Sequence, residues 1–83
     1  MTEQVLVRIV NMPGLITVGE VTTPGGHEVR VYGEPTDIEV TYIDGTKETF
    51  KGVSGKLTVS KRIARVKVLD NSRNFVIEVV RYV

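Results

Sequence analysis

Three features of the sequence mark an all-β domain, a small single-domain barrel or compact sandwich of six to seven short antiparallel strands. Val, Ile and Thr supply 16, 6 and 9 of the 83 residues, against one alanine and four leucines. Branched Cβ atoms restrict χ1 in a helix and pack well on a pleated surface, whereas helices favour Ala and Leu. Short stretches of period-two alternation recur along the chain, and Pro-Gly, Gly-Gly and Asp-Gly pairs separate them. A chain of this length buries roughly 60 to 65 % of its unfolded surface, enough for one thin core over residues 1–83. It has no cysteine for a disulfide and a single histidine, which gives no obvious structural zinc site. Small domains without such staples gain stability by closing a barrel or by associating with copies of themselves.

Residues 4–11 read as a strand, since Val5, Val7 and Ile9 alternate with Leu6, Arg8 and Val10 and leave both faces largely apolar. The opening MTEQVLVRIVNMPG lacks a basic leader, and Arg8 and Asn11 interrupt its apolar run. It therefore reads as neither a signal peptide nor a membrane span, and the expected location is the cytoplasm or the inside of a particle. Pro13-Gly14 suits a type II turn. A strand over 15–22 then ends at a second turn, Thr23-Pro24-Gly25-Gly26. His27–Tyr32 resumes with Val29 and Val31 on one face, and Gly33-Glu34-Pro35 ends it, because proline cannot donate to a ladder.

Ile38, Val40 and Tyr42 alternate with Glu39 and Thr41 up to Asp44-Gly45, a hairpin signal. A three-residue loop, 43–45, with Gly45 left-handed, sets Ile38 opposite Phe50 and Tyr42 opposite Thr46. A two-residue loop would set Glu39 opposite Phe50 and put the aromatic ring on the wrong face, so the longer loop is expected. Further on, Leu57 and Val59 are odd-numbered while Ala64, Val66 and Val68 are even-numbered. One straight strand cannot face both sets inward, so a turn or bulge is expected near Ser60-Lys61-Arg62.

The last hairpin is expected to join the arm carrying Ala64, Val66 and Val68 to the arm carrying Phe75, Ile77 and Val79, with Glu78 opposite Lys67 or Arg65. Its other face holds Ile63, Leu69, Val76, Val80 and Tyr82 and is not cleanly polar. Either the final strand is central in a closed barrel, or another chain covers it.

Motifs for chemistry are scarce. Gly52-Val53-Ser54-Gly55-Lys56 has two residues between its glycines and Leu57 after the lysine. A phosphate loop needs four residues there, a Ser or Thr after the lysine, and a helix to follow. The Gly-x-x-Gly clamp of KH domains needs a helical setting too. Both glycines read as turn residues. His27 reads as a solvated turn histidine without partner or pocket for base catalysis. Glu34, Asp37, Glu39 and Asp44 lack the dense spacing of a calcium loop. Hence no enzyme activity, metal, cofactor or small-molecule substrate is expected.

Charge is unevenly divided. Residues 1–45 carry two Lys/Arg against seven acids, a net of −5, and residues 46–83 carry nine against three, a net of +6. One expectation is a structural module that self-associates into a homo-oligomeric particle such as a virion. Lys61, Arg62, Arg65 and Lys67, with Ile63, Val76, Val80 and Tyr82, would meet an acidic counter-face of Glu34, Asp37, Glu39 and Asp44 on the next copy. The alternative is a small β-barrel that binds nucleic acid through the basic half, with Tyr32, Tyr42 or Tyr82 stacking on bases. Against it stand a near-neutral total of +1 and an aromatic content of only 6 %. A bland third reading has the fold interleave the two halves and erase the asymmetry.

Overall fold

The computed structural model describes residues 2–11, 20–70 and 72–83. The turn expected at Pro13-Gly14 and the first half of the strand expected over 15–22 lie outside the described residues. The chain forms β1 (Glu3–Asn11), β2 (Glu20–Tyr42), β3 (Lys47–Val68) and β4 (Phe75–Tyr82). These make one antiparallel sheet of order β1-β4-β2-β3, and no helix occurs among the described residues. No helix there is long and apolar enough to cross a membrane.

The all-β class holds, but the strand count and the closure do not. Among the described residues there are four strands rather than six or seven, in one open sheet rather than a closed barrel. The reason is that two expected strand breaks are bends inside β2. At Thr23–Gly26 and at Gly33-Glu34-Pro35 the ladder to β3 shifts register, between Thr22 and Gly26 and between Val31 and Thr36, while the strand continues. Gly33, at φ +98°, makes the second bend, and a Cβ there would lie 2.8 Å from the Asn74 carbonyl oxygen. Pro35 falls between Glu34, whose N–H donates to Asn74 O at 2.9 Å, and Thr36, which pairs with Val53. Its missing donor therefore leaves no gap in a ladder.

The hairpin at 43–45 has the expected register. Ile38 faces Phe50, the Tyr42 N–H donates to Thr46 O at 2.8 Å, and Gly45 sits at φ +88°. β3 then turns back, so residues 38–42 of β2 pair on one side with 47–50 and on the other with 63–68. The phase change in β3 lies slightly later than expected. Tyr42 pairs with Ile63 and Thr41 with Arg65, so Ala64 is the bulged residue. Ile63 thereby turns inward and is fully buried, contrary to its expected outward position. Burying Ile rather than Ala removes more apolar area from water, which favours this phase.

The expected terminal hairpin is not formed. β4 pairs with β1 and β2 and not with β3, so Glu78 faces Arg8 and Arg30 rather than Lys67 or Arg65. A strand reading FVIEVV is apolar on both faces and belongs between two others. The stretch 63–68 of β3 already has β2 as its partner. The core gathers Ile9, Val29, Val31, Ile38, Val40, Tyr42, Val53, Ile63, Val66, Val68, Phe75, Ile77 and Val79 from all four strands.

Candidate interaction site

The basic run does not form one strip. Lys61 donates to Asp44 at 2.9 Å and lies 5.6 Å from the centre of the Tyr42 ring. Arg62 donates to the Gly25 carbonyl at 3.3 Å. In the ladder Lys67 stands opposite both Glu39 and Glu20, while Arg65 stands opposite Thr41 and Thr22. Lys67 thus lies between two acids of β2, whereas Arg65 lies between two threonines.

The acidic counter-face is likewise occupied from within the chain. Asp44 accepts from the Thr46 N–H and hydroxyl at 3.0 and 2.6 Å. These bonds, with Lys61 after them, hold its carboxyl well below the usual range. Glu34 accepts from the Asn74 N–H at 2.6 Å and Asp37 from the Gly52 N–H at 2.8 Å, and Glu39 lies 4.0 Å from Lys47. Among the described residues no group of three or more His, Cys, Asp or Glu side chains is placed to hold a metal.

The apolar members of the expected patch are separated from its charges. Ile63 and Val80 are fully buried. Val76 and Tyr82 are half-buried on β4, whose ladder partners are β1 and β2, whereas Arg65 and Lys67 are exposed on β3. His27 is no solvated turn residue either. It lies within β2, half-buried, and its Nδ1 accepts from the Tyr82 N–H at 3.2 Å.

The most distinctive surface is instead the outer face of β1, β4 and β2. Register aligns three rows across these strands: Val10–Val76–Tyr32, Arg8–Glu78–Arg30 and Val5–Val80–Glu28. The first row is apolar. With Asn11, Gly33, Asn74 and Phe75 it lines a groove of about 500 Å³, and a smaller hollow of about 340 Å³ runs on over Arg8 and Glu78. In the second row Arg8 donates from Nε and Nη2 to the same Glu78 oxygen at 3.0 and 2.6 Å. The Arg8 guanidinium is the first reason that the Glu78 carboxyl is held below its ordinary range. Arg30 donates to Glu28 at 2.7 Å and bonds Glu3, and Tyr82 OH lies 3.2 Å from the same Glu28 oxygen. The bonds to Glu3 and Glu28 raise the Arg30 guanidinium above its ordinary value.

Among the described residues β1 is the end strand of the sheet and pairs with β4 alone. Its charges, Glu3 and Arg8, are drawn to Arg30 and Glu78 of the same chain, while Val5 and Val10 remain 46 % and 51 % exposed. Lys and Pro, which blunt many edge strands, are absent from Glu3–Asn11. Sequence reasoning gave Val5 and Val10 no role, because only topology shows which strand is left at the end. Compared with protein-family models, curated proteins and solved structures, the chain matches none.

Proposed function

We propose that this chain is a non-enzymatic assembly module that takes up a further strand along β1, a building block of a homo-oligomeric particle. One observation carries this reading: a nine-residue end strand, EQVLVRIVN, holds five apolar residues and no Lys or Pro, and among the described residues it is open on one side. Strand addition supplies main-chain hydrogen bonds for affinity and side-chain rows for specificity. The driving terms are main-chain bonding and burial of Val5 and Val10. Opposed charged faces are not needed, since Asp44, Glu39, Asp37 and Glu34 already have partners within the chain.

Static light scattering across protein concentration and salt tests this. Association should persist at 1 M salt, where the Debye length falls to about 3 Å. Val5→Lys, which adds an edge guard, should weaken it, and the triple change Arg62→Ala, Arg65→Ala, Lys67→Ala should not. Loss of association in the triple variant with none in Val5→Lys would overturn the proposal.

The nucleic-acid reading keeps one point in its favour. β3 carries seven Lys/Arg against one acid, and Lys51, Lys56 and Lys67 are exposed on it. If it holds, an oligonucleotide binds with an affinity that falls steeply with log salt and falls further in the same triple variant.

A further inference from the structure

The direction of the main-chain groups on β1 identifies its partner. Thr2 and Val83 exchange both backbone hydrogen bonds, at 2.6 and 2.8 Å. In an antiparallel ladder alternate residues face alternate neighbours. Val83, Arg81, Val79, Ile77 and Phe75 therefore turn towards β1, and Tyr82, Val80, Glu78 and Val76 towards β2. The bond from the Glu34 N–H to Asn74 O agrees with this phase. The β1 residues opposite Arg81, Val79, Ile77 and Phe75 are Gln4, Val7, Ile9 and Asn11. Their main-chain groups are thus used by β4.

The residues left facing the open edge are Glu3, Val5, Arg8 and Val10. The spacing breaks from two to three because the ladder shifts between Val5 and Val7, which leaves Leu6 as a bulge. Without that bulge the open positions would run evenly in steps of two. Either set is a palindrome, and the bulge moves its centre from a residue to the midpoint between Leu6 and Val7.

We infer that the strand added to β1 is β1 of a second copy, antiparallel, about a two-fold axis between Leu6 and Val7. This rests on the proposed strand addition and names its partner. In this register Glu3 meets Val10 of the second copy and Val5 meets its Arg8, and the same pairs repeat beyond the axis. All four open residues of each strand find an open residue opposite. Any other antiparallel register leaves some of them facing groups already bonded to β4 or running past the end of the other β1. An axis normal to the sheet also keeps outer face with outer face. No like charge then faces like, and Glu3 becomes a diagonal neighbour of the second copy's Arg8, within reach of long side chains. At the axis the half-buried Leu6 and Val7 meet their counterparts. The exposed Val5 and Val10 are covered, and the result is one eight-stranded sheet with no β1 edge.

Cysteine pairing tests the register, helped by the absence of any native cysteine. Directly opposed residues of a hydrogen-bonded pair lie about 5.5 Å apart at Cα, inside the range a disulfide spans. Val5→Cys mixed with Arg8→Cys should give a disulfide-linked dimer under mild oxidation, and neither variant alone should. Val5→Pro removes one outward N–H and no bond to β4, so it should leave thermal unfolding largely in place and shift the chain to single-copy mass. If Val5→Pro breaks the dimer but Val5→Cys cross-links with itself, the register is wrong and strand addition stands. If association survives Val5→Pro, with the fold intact, strand addition at β1 falls as well.

Discussion

Ile63 and Ala64 show how one residue sets the phase of a strand. Ile63 is fully buried, and Ala64, the bulged residue of β3, is only half-buried. The pattern in the sequence favours Ala64 inward because it matches Val66 and Val68 in parity. Parity alone does not reveal a bulge that falls after Ile63 rather than before it. Ile63→Ala should destabilise by about 2 to 5 kcal/mol in a denaturant titration, the range for truncating a buried Ile. A loss below about 1 kcal/mol would place Ile63 outside the core.

The Arg8–Glu78 pair makes a second residue-scale prediction. The folded-state carboxyl of Glu78 lies below its ordinary 4.5. Its contribution to stability is therefore present above about pH 4.5 and is lost as pH falls through the depressed folded value. Wild type and Glu78→Gln should differ in urea midpoint at pH 7 and converge in acid. A difference that stays constant down to acid would show that the pair does not act through ionisation.

Among the elements, the hairpin at 43–45 was legible because its constraints are local. The parity of Phe50 and the left-handed preference at Gly45 both act within a dozen residues. The pairing of β4 was not legible for the opposite reason. Phe75–Tyr82 follows the last arm of β3 closely, and a hairpin is the shortest connection, yet its partners are β1, over sixty residues away, and β2. The apolar outer face, with Val76, Val80 and Tyr82, did signal a central strand without naming its neighbours. Bends hidden inside β2 obscured the strand count in the same way. Gly33→Ala should therefore cost more than Gly45→Ala by thermal melting. Both need positive φ, but only Gly33 lacks room for a Cβ, with Asn74 O at 2.8 Å, whereas nothing lies within 4 Å at Gly45. Equal losses would mean that the backbone at Gly33 relaxes freely.

Over the whole molecule, the charge asymmetry of the sequence dissolves on folding. The stretch that carries most of the bases, β3, pairs along its length with β2, which carries half of the acids. Antiparallel pairing of oppositely charged segments interleaves their side chains, so the −5 and +6 halves do not become two faces. Among the described residues the fold leaves one end strand, β1, open on its outer side, and the bulge sets the register in which that edge matches a second copy. The most direct measurement is the mass in 1 M salt of wild type and of Val5→Pro. Wild type should run at twice 9.2 kDa and Val5→Pro at 9.2 kDa, with a cooperative thermal transition retained in both. Single-copy mass for wild type at every concentration tried would contradict the account.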